Sequence, residues 1–200
     1  SPLDLAAAGA EAVAAAQRYP GRIATLIAPA DHAWTEGAEP AAPISEQRSP
    51  EANLESLEHA AAALRGSGQA ALFLGGRALR EDALEQAGRI AAATSVRLIC
   101  ETFTARLQRG AGRVVVERLP YFGEMAAEFL DGLKQIVFVG AEPPVSFFAY
   151  PVKPSWLSPD GAQVIRLASP RDNALQALRG LADILEAPAT PAQVQEAFAP

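Results

Sequence analysis

Three short stretches set glycine, hydroxyl and carboxylate groups directly after apolar runs: Gly75-Gly76-Arg77, Glu101-Thr102-Phe103 and Gly140-Ala141-Glu142. If those runs are parallel strands, the stretches stand at their carboxyl ends, where doubly wound sheets take ligands. Glycine there lets a backbone approach a phosphate, and the helix that follows adds a favourable field. Arg77 and Arg106 could meet that phosphate as guanidinium forks. Thr102 and Glu142 supply polar groups, and Glu142 could accept a ribose hydroxyl. Each residue also has a plainer reading. Gly75 and Gly76 make a tight strand-to-helix turn, the arginines are solvated, and Glu142 caps or pairs locally ahead of a loop stiffened by Pro143-Pro144. Neither G-x-G-x-x-G nor G-x-x-x-x-G-K-[ST] occurs in the chain.

Other chemistry is thin. Asp31-His32 has the types of a catalytic dyad, yet no G-x-S-x-G nucleophile accompanies it, and a loop or interface histidine is the competing reading. His59 falls inside a helical pattern. Two histidines 27 residues apart do not make a metal centre, and the single cysteine, Cys100, permits neither an internal disulfide nor a cysteine-rich zinc site. Cys100 ends an apolar run and reads as a small buried hydrophobe. The most distinctive local feature is the aromatic run Phe147-Phe148-Ala149-Tyr150-Pro151, with Trp156 close behind, in a proline-rich loop. Rings outside regular structure need cover, either from their own domain or from another domain or subunit. Seventeen basic against 23 acidic residues give a net charge of −6, which speaks against a nucleic-acid or anionic-membrane partner. No apolar run approaches the ~20 residues needed to cross a bilayer, and no signal peptide is visible. The expected location is the cytoplasm.

Stepping outward, residues 3–18 predict an alanine-rich helix, and Ile23–Ala28 a buried strand. Residues 36–50, rich in proline and charge, read as a linker. Ser49-Pro50-Glu51 predicts a helix start. Apolar runs at 71–74, 96–100, 114–119, 136–139 and 164–167 alternate mostly with helices, including 81–94 and 124–132. A second start is predicted at Ser169-Pro170, with Asp172 reaching back. Uniformly apolar, short strands are those buried on both faces of a parallel sheet. The expectation is an α/β, doubly wound, mainly parallel sheet with helices on both faces, spanning 50–187. Residues 1–37 read as the end of a preceding domain, 38–49 as the linker, and 188–200 as a tail or a linker onward. The start at Ser1 rather than methionine predicts a piece of a longer chain.

These residues resemble the central domain of thiamine-diphosphate-dependent enzymes of the acetolactate synthase and benzoylformate decarboxylase type. The resemblance rests on Pro20–Ala24 through Pro29-Ala30-Asp31, on Ala71–Gly76, on the helix 81–94, on Val96–Thr102 and on Ile136–Gly140. Gly140–Tyr150, continued to Ser155, looks like acetolactate synthase large subunits. The resemblance implies a Rossmann-like sheet of about six strands. It implies thiamine diphosphate and magnesium in the parent enzyme, 2-keto acid substrates, and a link to branched-chain amino acid biosynthesis. It also implies N- and C-terminal catalytic domains beside this one, and a homodimer or homotetramer. The family's Gly-Asp-Gly motif is absent from the chain, and its catalytic glutamate would precede residue 1, so no catalytic and no metal-binding residue is expected here. The cofactor-binding candidates implied by FAD- or ADP-binding relatives are Gly75, Gly76, Arg77, Thr102, Gly140 and Glu142. Two departures argue against FAD: the first loop lacks a third glycine, and Glu142-Pro143-Pro144 follows Gly140. The favoured expectation is a structural domain without cofactor, inactive alone. The alternative is a nucleotide-binding module.

Overall fold

A computed structural model describes residues 1–37, 39–45, 48–66, 69–149 and 151–197. The chain divides into two compact units, Ser1–Ser49 and Pro50–Pro200.

In the first unit, the alanine-rich stretch forms helix α1 (Leu5–Gln17), entered through a 3-10 turn at Pro2–Asp4. The terminal amine and the hydroxyl of Ser1 both donate to Asp4 Oδ2. A short helix α2 covers Ala30–Trp34. The strand expected at Ile23–Ala28 does not form: Ile23 is 98% exposed and Ile27 85% exposed. An apolar run becomes a strand only by pairing in a ladder, and no described residue of this unit offers one.

The second unit follows the α/β pattern closely. Helix α3 (Leu54–Leu64) leads into β1 (Ala70–Leu74), α4 (Glu81–Thr94) and β2 (Arg97–Cys100). Then come β3 (Glu117–Arg118), α5 (Gly123–Leu130), β4 (Gln135–Val139), β5 (Gln163–Ala168) and α6 (Ala174–Ile184). Among the described residues the strands form one all-parallel sheet of five, in the order β3-β2-β1-β4-β5. The resemblance implied about six. The chain winds outward from β1 to β3, then returns to place β4 on β1's other side. The β1/β4 boundary is therefore the topological switch point.

Strand alternation sorts the core into two layers. Leu72, Leu74, Val137 and Val139 pack with Leu57, Leu64, Leu84, Ile90, Leu178 and Leu181 from α3, α4 and α6. Phe73, Phe138, Ile99 and Ile136 point the other way, to Ala126 and Leu130 of α5 and to Leu157. Phe73 and Phe138 are register partners on neighbouring strands, with ring centroids 5.0 Å apart. Arg97 ties the β3 edge. Its guanidinium makes two hydrogen bonds to Glu117, donates to the Phe129 carbonyl at 2.9 Å, and lies over the Phe129 ring.

Both predicted serine–proline helix starts move inward to an asparagine. Asn53 Oδ1 accepts from Ser56 N–H to cap α3, and Asn173 Oδ1 accepts from Gln176 N–H to cap α6. Asp172 does reach back to Ser169 N–H at 2.7 Å, but that bond closes a turn ahead of the helix. Pro50 instead offers its carbonyl to Asn173 N–H at 2.8 Å. The strand expected over 114–119 shrinks to Glu117–Arg118, because Val114 bridges antiparallel to Val194. The segment from 188 to 197 runs along α4, with Ala192 N–H on the Gly88 carbonyl and Gln195 N–H on the Arg113 carbonyl. A Cβ on Gly88 would fall 2.7 Å from Pro191 Cβ and from Val114 Cγ2, so glycine at this helical position permits the close approach.

Candidate functional site

The loops after β1, β2 and β4 meet at the carboxyl edge of the sheet. Gly75 N–H donates to the Val139 carbonyl at 3.0 Å, and Gly140 N–H donates to the Ala168 carbonyl at 2.8 Å. Their backbones are pressed together: a Cβ on Gly75 would lie 2.6 Å from the Gly140 carbonyl oxygen, and a Cβ on Gly140 2.5 Å from the Gly75 oxygen. Gly140 also has φ +68 and Gly76 φ +50. Glycine is demanded here by one backbone crossing another, which accounts for Gly75 and Gly140 without any phosphate.

Glu101, which the sequence reading left outside the binding set, is the polar centre of the crevice. It follows the buried β2, so its carboxylate is half-buried, and its Oε1 accepts from Gly76 N–H at 3.2 Å. Burial pushes its carboxyl above the usual range, and the Gly76 bond offsets only part of that. Thr102 is turned to the backbone, its hydroxyl donating to the Leu119 and Pro120 carbonyls at 3.1 and 3.3 Å. Glu142 pairs with Arg166 of β5. Arg77 is exposed in the 3-10 turn Gly76–Leu79, and Arg106 is exposed in the loop after β2. Arg80 follows that turn with its Nε buried and, among the described residues, without a hydrogen-bond partner. Burial, then the charges of Arg106 and Arg77, hold its guanidinium below its ordinary range.

A cavity of about 270 Å³ opens among these loops, lined by Glu101, Thr102, Phe103, Glu142, Val145 and Phe147 with neighbouring prolines and leucines. Gly75, Gly76, Arg77 and Gly140 are not in its wall. Beside it lies an aromatic cluster. Tyr121 stacks on Phe147 at 5.5 Å and meets Phe103, Phe122 and Phe148 at 5.7, 5.1 and 6.1 Å. All five rings are 40–65% exposed. Beyond Phe147 and Phe148, the sequence named Phe103 only within the stretch Glu101-Thr102-Phe103, and Tyr121 was missed. Each stands three residues after a strand end, and that spacing was the available signal. Tyr150 lies outside the described residues. Trp156 is half-exposed in a short antiparallel bridge to Val145.

The remaining candidates disperse. His32 sits in α2 of the first unit. His59 is exposed on α3 and shares a hydrogen bond with Gln163. Cys100 is fully buried, and burial raises its thiol. Among the described residues no three His, Cys, Asp or Glu side chains gather to hold a metal, and no helix is long and apolar enough to cross a membrane.

No protein-family model matches the chain. A Mycobacterium tuberculosis protein named "Putative acetolactate synthase large subunit IlvX" is 48% identical over 193 residues, covering 96% of this chain and 37% of that relative. The chain thus spans little more than a third of that relative's length. A solved structure of a "putative thiamin diphosphate-dependent enzyme" from Mycobacterium smegmatis superposes with a TM-score of 0.73 at 21% identity, over 96% of this chain and 40% of that one. Rhodococcus jostii thiamine diphosphate-dependent 4-hydroxybenzoylformate decarboxylase matches at 0.68 and 17%, over 99% of this chain and 41% of that one. The expected doubly wound α/β fold is borne out, as is the recognition of a segment like those found in thiamine-diphosphate-dependent enzymes.

Proposed function

We propose that this chain is the central, non-catalytic domain, with the end of a preceding domain, of an acetolactate-synthase-like enzyme acting on 2-keto acids. The observation that carries the proposal is the 48% identity to a protein bearing that printed name, of which this chain covers 37%. The remainder of such an enzyme has room for the catalytic domains. When bound there, thiamine diphosphate supplies the carbanion chemistry of 2-keto acid decarboxylation and transfer. Here the residues do not suit a diphosphate. The crevice wall carries two glutamates and no lysine or arginine, which opposes an anion, and the chain contains no Gly-Asp-Gly. Of the six cofactor-binding candidates only Thr102 and Glu142 stand in that wall, Thr102 with its hydroxyl turned to backbone carbonyls and Glu142 paired with Arg166, so the six do not make one FAD or ADP site.

In this reading the domain spaces the flanking domains, and the exposed rings of Phe122 and Phe148, outside the crevice wall, are covered by other subunits of a homodimer or homotetramer. A cytoplasmic location and a role in branched-chain amino acid biosynthesis belong to the same proposal. The test is to titrate the purified chain with thiamine diphosphate and magnesium by calorimetry and to assay acetolactate formation from pyruvate. No heat of binding and no product are expected. Turnover by the 200-residue chain would overturn the reading.

A further inference from the structure

The crevice at the switch point joins three features. It has a cavity of about 270 Å³, suited to a molecule of one or two rings. Its apolar wall includes Phe103 and Phe147, whose ring centroids are 4.9 Å apart with the planes tilted by 57°. It carries two carboxylates of unequal standing: Glu142 has its counter-charge in Arg166, whereas among the described residues Glu101's carboxylate is bonded by the Gly76 N–H alone. A half-buried carboxylate among aromatic rings, in a wall without lysine or arginine, attracts a cation both through its charge and through the rings' negative faces. Arg77, Arg80 and Arg106 lie outside that wall.

We infer that this crevice is a binding site for a small, flat, cationic aromatic ligand, an amidine or protonated aromatic amine, held by Glu101 and packed against Phe103 and Phe147. This goes beyond the structural role proposed above and stands or falls independently of it, since it rests on the cavity and not on the relative's name.

Three isosteric probes test it: benzamidine, benzamide and benzoate, which carry charges of +1, 0 and −1 on one shape. Titrating each into the full 200-residue chain, followed by nuclear magnetic resonance of the backbone amides, should show benzamidine binding at least tenfold more tightly than benzamide. Benzoate should be weaker still, and the perturbed amides should include Gly76 and Thr102. Glu101→Gln keeps an acceptor for Gly76 and should remove the benzamidine preference while leaving benzamide affinity unchanged. Phe103→Ala should weaken both. Equal affinities for the three probes would overturn the proposal. So would perturbations remote from the crevice, or no binding at 10 mM by a chain whose melting shows it folded. A melting shift with ADP or FAD that exceeds the shift with benzamidine would overturn the charge argument itself.

Discussion

At the scale of single residues, the crevice is governed by two backbones in contact and one imperfectly solvated carboxylate. Gly140→Ala places a methyl against the Gly75 carbonyl at a positive φ, so both sterics and backbone strain oppose it. It should cost roughly 2–4 kcal/mol in chemical denaturation. Gly76→Ala, with its nearest contact at 3.4 Å, should cost only about 1 kcal/mol. A Gly140→Ala variant that melted like the parent would overturn this account of the backbone crossing. Glu101 makes a pH prediction. Its carboxyl titrates above its ordinary value, so in the window between the two values the folded state holds a proton that the unfolded state has lost. Stability therefore falls as pH rises through that window, and the penalty is complete above the raised value. Glu101→Gln should flatten this slope and raise the midpoint at pH 7. Urea titrations across the acid range will show whether the slope belongs to this residue.

At the scale of elements, the sheet holds because β1 and β4 lie between neighbours and bury both faces. Phe138 is fully buried against Phe73, on the face covered by the one short helix α5 and by the loop residues Leu119, Leu133, Ala141 and Leu157. With so little cover to collapse into the gap, Phe138→Ala should cost about 3–5 kcal/mol in equilibrium unfolding. The asparagine caps of α3 and α6 explain why both helices start later than their serine–proline signals indicated. An Asn side chain satisfies a first-turn N–H, so the chain need not become helical before it. The two-residue β3 has a related cause. An edge strand has one ladder partner, and the stretch ahead of it spends its bonds on the C-terminal segment.

At the scale of the whole molecule, both core layers are built from residues 52 onward. Removing residues 1–49 should leave the melting temperature of the second unit within about 3 °C, since every residue of its two core layers is kept. A fall of 10 °C in scanning calorimetry would show that the first unit supports the second. The exposed rings of Phe122 and Phe148, beside Tyr121, remain the apolar surface at the sheet's carboxyl edge where the proposed function puts other subunits. Phe122→Asp with Phe148→Asp should then lower the association state in sedimentation without changing the melting temperature.

The sequence by itself determined the α/β class, the apolar strands β1, β2, β4 and β5, and the helix α4 to the residue. These follow from burial, which writes its period locally into the chain. The loops that form the candidate site were also legible, since each follows a strand. Tertiary structure alone decided what those loops do. Gly75 and Gly140 are 65 positions apart and touch only because β4 returns beside β1. That same return brings Phe147 onto Phe103 and Tyr121. Burial raises Glu101 only once three loops close over it. Ile23–Ala28 makes the converse point. Its composition suits a strand, but a ladder needs a partner, and strand pairing is a property of the assembled sheet and not of the run.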